Sequence, residues 1–124
     1  MGKNIVVEGC ALQDVTGSGT VKIESQPNSS ISVNGKKAYF GTITVSVKGS
    51  NGGGAINNNN GQGTGTITGT GSNVLGGGQP VLLEGDTGTA TVTGTNTSGS
   101  TTTTVTKTVT VKISSAGQAD VIAL

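Results

Sequence analysis

The chain contains no histidine, no tryptophan and no arginine, and only one cysteine, Cys10. Each absence removes a class of chemistry. Without imidazole, a Ser-His-Asp triad, a Cys–His pair and the common zinc sites cannot be assembled. A single cysteine excludes an intrachain disulfide, and Cys10 reads as a small buried hydrophobe. Aromatic residues are reduced to one tyrosine and one phenylalanine, which leaves no platform on which sugars or bases could stack. Charge is sparse too: 10% of residues, a net of +1, and seven basic residues that are all lysine. That balance lacks the clustered, arginine-bearing face of a nucleic-acid binder and gives no footprint for an anionic membrane. No apolar run approaches the roughly 20 residues of a spanning helix. The opening does not read as a secretory signal, because Glu8 interrupts the apolar Ile5–Val7. The glycine-rich stretches match no phosphate-cradling loop and lead into no helix.

What remains is glycine, threonine, valine and isoleucine. Glycine alone supplies 23 of the 124 residues. β-Branched residues favour pleated strands, and the low charge separates the chain from ordinary disordered sequences. No stretch shows helical periodicity. The composition predicts one all-β domain over residues 1–124, built of short antiparallel strands and hairpins around a thin core. With so few large side chains, an isolated monomer is expected to be marginal unless main-chain ladders, stacked repeats or a partner support it.

The organising feature is an approximate two-fold repeat. Asn73–Asp86 reads NVLGGGQPVLLEGD: an apolar pair, three glycines, Pro80, a second apolar run, then Glu84–Gly85–Asp86. Ser30–Gly41, SISVNGKKAYFG, echoes it, with Ile31 aligned to Val74, Gly35 to Gly78, Ala38 to Val81 and Phe40 to Leu83. Each copy predicts strand, tight turn, strand, turn, since Asn-Gly is a strong hairpin signal and glycine accepts positive φ.

Around the repeats, period-two alternation marks further strands. Asn4–Val7 and Thr20–Glu24 are short, Thr42–Lys48 sets Ile43, Val45 and Val47 on one face, and Thr64–Thr70 is weaker. Pro27–Ser29 and Asn96–Ser100 read as turns. Thr101–Ile113 is the longest: Val105, Val109, Val111 and Ile113 share a face that Lys107 interrupts, with threonines opposite. Residues 101–124 therefore read as a Thr-rich strand extension with an apolar C-terminal arm in need of cover. Residues 49–63, dominated by glycine and asparagine, read as a mobile loop of linker character. Tyr39 and Phe40 are neighbours and point to opposite strand faces; Phe40 is expected in the core and Tyr39 at a partly buried or interfacial position.

One carboxylate pair, Glu84 and Asp86, has spacing that could serve acid–base work or a hard cation. Beside a turn, it reads as two solvated acids. No catalytic, metal or cofactor site is predicted, and an enzyme is not expected.

The repeated pattern in ISVNGKKAYFG (Ile31–Gly41) and NVLGGGQPVLLEGD (Asn73–Asp86) resembles the PAAR-repeat family, and the opening KNIVVEGC is similar to that family's usual start. Members are small cone-shaped β proteins that cap the trimeric β-helical spike of type VI secretion systems and contractile phage tails. The resemblance implies a compact cone or β-prism acting mechanically, sharpening and sealing a spike tip without covalent chemistry or cofactor. It implies a trimeric β-helical spike as partner, a cargo or effector as a second, membrane contact only during piercing, and assembly in the bacterial cytoplasm into a virion or secreted particle. The contacts it implies at the base are Ile31, Val33, Val74, Leu75, Val81, Leu83, Val121, Ile122 and Leu124. The chain departs from the family at the apex metal, which members hold through His and Cys. It departs again after the turn, where Ala-Arg is replaced by Lys37–Ala38 and Pro80–Val81. Two other readings suit the composition. One is a virion or cell-surface decoration. The other is an ice-binding β-solenoid, suggested by Thr-x-Thr at 64–70, 87–95 and 101–110, although these threonines do not recur at a fixed coil length.

Overall fold

A computed structural model describes residues 3–25, 32–33, 35–71, 75–76, 78–119 and 121–123. The expected turn at 27–29 lies outside the described residues. Every regular element among the described residues is a strand: β1 (Lys3–Asn4), β2 (Ala11–Asp14), β3 (Thr20–Ile23), β4 (Ser32–Val33), β5 (Lys36–Lys37), β6 (Thr42–Ser50), β7 (Gly61–Thr68), β8 (Leu75–Gly76), β9 (Gln79–Pro80), β10 (Thr87–Ser98), β11 (Thr101–Ser115) and β12 (Ile122–Ala123).

The six longer strands form one antiparallel sheet in the order β2-β11-β10-β7-β6-β3. Its two edge strands are consecutive in sequence and lie against each other, so the sheet curls into a nearly closed barrel. Alternation dictates which side fills it. Ile43, Val45 and Val47 of β6, Ala90 and Val92 of β10, and Val109, Val111 and Ile113 of β11 point inward and are buried. Threonines on the same strands point out. β7 uses a different inward residue. Gly63 and Gly65 stand opposite Val47 and Val45, and a Cβ on Gly63 would lie 1.8 Å from the Thr91 carbonyl oxygen. The alternation GQGTGT thus places glycine where the sheet bends too sharply for a side chain and threonine where it meets water.

Closure changes the expected thin core. The accessible surface is 6200 Å², against about 6,000 Å² for an ordinary folded monomer of this mass. Small β-branched residues suffice because the barrel is narrow. Residues 49–63 are not a linker: Ile56 is fully buried in the core, and the asparagines around it bond to β10. Nor is 101–115 an appended strand, since β11 pairs with β10 on one side and β2 on the other. Tyr39 and Phe40 exchange their expected places. Tyr39 is 8% exposed within the barrel core, while Phe40 is half-buried against a second, smaller cluster.

Candidate functional site

One end of the barrel is closed by three short extended segments, 5–7, 38–40 and 81–83. Each pairs with the other two: Val7 bridges Ala38, Phe40 bridges Val81, and Leu83 bridges Ile5. The main-chain bonds run in a ring. Val6 N donates to Leu82 O at 3.0 Å, Leu82 N to Tyr39 O at 3.0 Å, and Tyr39 N to Val6 O at 3.1 Å. A second ring lies outside it: Glu8 N to Lys37 O at 3.0 Å, Gly41 N to Pro80 O at 2.7 Å, and Glu84 N to Asn4 O at 2.9 Å. The arrangement is pseudo-threefold. The central residues Val6, Tyr39 and Leu82 plug the barrel core. Their neighbours Ile5, Val7, Ala38, Val81 and Leu83, with Val33, form the second cluster on the far side.

Each segment is entered from a two-stranded ribbon and left through a glycine. β4–β5 precedes 38–40, and β8–β9 precedes 81–83. The ribbon before 5–7 is split: β1 pairs with β12 from the other end of the chain, Lys3 with Ala123 and Asn4 with Ile122. The exit glycines Gly9, Gly41 and Gly85 have φ of 87°, 74° and 94°, a region that costs other residues about 1–2 kcal/mol. The neighbouring ribbon reaches over each exit. Built on those glycines, a Cβ would meet Lys36 Nζ at 3.9 Å, Gln79 Oε1 at 3.2 Å and Lys3 Nζ at 3.9 Å respectively. The repeat is therefore three-fold rather than two-fold. The third copy is IVVEGC (Ile5–Cys10), which matches VLLEGD (Val81–Asp86) position for position in hydrophobic character through Glu-Gly.

The carboxylates here are structural. Asp86 is 4% exposed and accepts from Leu83 N at 2.8 Å, Thr70 N at 3.2 Å and the Thr70 hydroxyl. Glu84 Oε1 accepts from Ala116 N at 3.0 Å. They are not two solvated acids: both lock the cap to the segments beside it. Asp14 does the same at the opposite end of β2, accepting from Gly17 N, Gly19 N and Ser50 Oγ at 2.8, 3.0 and 2.7 Å. Burial pushes the Cys10 thiol up, outweighing a main-chain hydrogen bond that lowers it. Burial, with Cys10 and Glu8 nearby, also raises the Tyr39 hydroxyl. Among the described residues no three Cys, Asp or Glu side chains gather as a metal-ligand set.

Of the residues named as base contacts, Ile31, Val74 and Leu124 lie outside the described residues, and Leu75 is placed by its backbone in β8. Val33, Val81 and Leu83 are 6%, 0% and 4% exposed, filled in by the chain's own cluster rather than open to a partner. Val121 and Ile122 are open, at 39% and 59%. Compared with known proteins, the chain matches no protein-family model, no curated protein and no solved structure.

Proposed function

We propose that the chain is a structural tip that seats its three-ribbon end on a threefold-symmetric β-structured spike. The cyclic cap carries this reading. A single chain that presents three equivalent ribbons around one axis can meet three identical strand ends of a trimer with the same local contact each time. The exposed Ile122 and Val121 supply apolar area at that rim, and the split ribbon holding β12 is one of the three docking elements. At the opposite end the β10–β11 hairpin continues past its pairing with β7 and β2, and in this reading that end is the point. Main-chain ladders rather than a wide core make such a body stiff. The role is mechanical, and no residue is assigned to catalysis. The test is native mass measurement of the chain mixed with a purified trimeric spike protein. The expected complex holds one chain per trimer, and Ile122→Asp weakens it by about tenfold or more, the effect of roughly 1.4 kcal/mol. Absence of a complex, or three chains per trimer, refutes the reading.

A second reading attaches to the barrel's outside. Registers across β6, β7, β10 and β11 align Thr44–Thr66–Thr89–Thr110 and Ser46–Thr64–Thr91–Thr108 in rows. Such rows repeat at about 4.8 Å across strands and 6.8 Å along them, a spacing suited to ordering water as on an ice face. Curvature of the barrel works against it by tilting successive columns away from one plane. Thermal hysteresis at millimolar protein decides the matter.

A further inference from the structure

The β10–β11 hairpin runs past the rest of the barrel, and its two outer edges are treated differently. On β10, pairing with β7 stops at Thr93 and Gln62. Beyond that point side chains close the edge. Asn60 Oδ1 accepts from Thr95 N at 2.8 Å, Asn57 Oδ1 accepts from Thr97 N at 2.9 Å, and Asn57 Nδ2 donates to Thr97 O at 3.0 Å. Asn58 N adds a bond to Thr95 O at 3.3 Å. No strand can add there. On β11, pairing with β2 ends at Val111 and Asp14, and the last outward bonds are Val15 N to Thr110 O and Thr110 N to Thr16 Oγ1, both 2.8 Å. Antiparallel strands direct the main-chain groups of alternate residues to alternate sides. Thr102, Thr104, Thr106 and Thr108 therefore aim theirs where Thr110 does, away from β10, and among the described residues nothing pairs with them.

An open row of main-chain donors and acceptors is a template for one kind of ligand, another extended strand. We infer that this row pairs with the same row of a second copy of the chain, antiparallel about a two-fold axis. The register that sets Thr104 against the second copy's Thr106, and Thr102 against its Thr108, exchanges about eight main-chain hydrogen bonds. It also accounts for the side chains. Val105, half-buried in the middle of the row, meets its own counterpart, and Lys107 faces Thr103, so like charges are not opposed. Threonine against threonine is a contact the chain already makes, Thr93 with Thr106 at 3.1 Å and Thr97 with Thr102 at 3.3 Å. The pairing uses the end of the barrel away from the cap and stands or falls independently of the spike reading.

Disulfide trapping tests the register. In a Cys10→Ala background, Val105→Cys is expected to give a covalent dimer on mild oxidation, because non-hydrogen-bonded antiparallel pairs hold Cα atoms about 4.5 Å apart, within disulfide reach. Thr103→Cys, which would face Lys107, is expected to stay monomeric. In sedimentation equilibrium the native chain dimerises, and Thr104→Pro, which removes an outward N–H while sparing the bonds to β10, weakens the dimer by about tenfold or more. If Thr104→Pro alters the far-UV circular dichroism, Val105→Lys gives the same loss by opposing like charges across the axis. A native chain that sediments as a monomer up to about 1 mM, or equal trapping at 103 and 105, overturns the proposal.

Discussion

At the scale of single residues, most of the polar chemistry in this chain is spent on holding turns. Asp86 accepts three donors from two separate segments while almost fully buried. Asp86→Ala leaves those donors unpaired, and a loss of about 3 kcal/mol is expected in urea unfolding; Asp86→Asn, which keeps part of the acceptor set, loses less. Cys10 is half-buried against the core rather than the fully buried hydrophobe expected from the sequence, and its thiol and the Tyr39 phenol give stability a pH dependence with a definite sign. Both groups have folded-state pKa values raised above their unfolded values, by burial first. The unfolded chain therefore loses its protons earlier, and stability falls as pH rises from about 9 upward. A double variant, Cys10→Ala with Tyr39→Phe, is expected to flatten that fall in thermal melts between pH 8 and pH 11. The facing of Tyr39 was not legible in the sequence, although its alternation with Phe40 was. Period two says that neighbours face apart; it does not say which face is deeper. The missing information is the equivalence of Tyr39 with Val6 and Leu82, the other two residues that plug the barrel.

At the scale of elements, glycine and asparagine act as parts of strands. Local composition makes Gly49–Gly63 look like a linker, because tracts of those residues lack the apolar content that orders a chain. The signal against that reading is Ile56, the one large apolar residue in the stretch, and it is fully buried. The asparagines beside it act as a surrogate strand: their amides offer a donor and an acceptor with spacing close to that of a main chain. Asn57→Ala combined with Asn60→Ala is expected to cost about 2 kcal/mol. Amide exchange at Thr95 and Thr97 should speed up by an order of magnitude or more, with Thr93, paired to β7, unchanged. The same logic applies to β7. Gly63→Ala would force a Cβ to within 1.8 Å of a carbonyl oxygen of β10, so the barrel cannot close around it and the variant is expected not to fold, whereas Thr64→Ala on the outer face changes stability by only about 0.5 kcal/mol. Strand positions were readable from alternation; the glycine corners were not, because alternation is silent about curvature.

At the scale of the whole molecule, the three units lie around the chain as though it were a circle. Each consists of a ribbon, a cap segment, an exit glycine and two consecutive barrel strands: β6 and β7, and β10 and β11, are paired hairpins, while β2 and β3 are the two four-residue edge strands that lie against each other. In linear order only two ribbons are intact, which is why a two-fold repeat is all that the hairpin signals convey. The third copy is written in Ile5–Cys10, without a turn before it, because its ribbon is completed by β12. This makes a prediction that neither a two-fold repeat nor a plain barrel would make. Joining Leu124 directly to Met1 would leave three residues, Leu124, Met1 and Gly2, between the paired Ala123 and Lys3, a length common in β-hairpins. New ends can then be opened at Gly35, in the two-residue connection where β4 and β5 already meet. The permuted chain is expected to fold with an unchanged far-UV spectrum and to melt within a few degrees of the native one, since closing one ribbon offsets the opening of its equivalent. Opening instead at Gly41, inside the ring of cap bonds, is expected to abolish cooperative melting. If the Gly35 permutant fails while folding persists with ends at Gly41, the three units are not equivalent, and the symmetry on which the proposed seating on a threefold spike rests is lost with them.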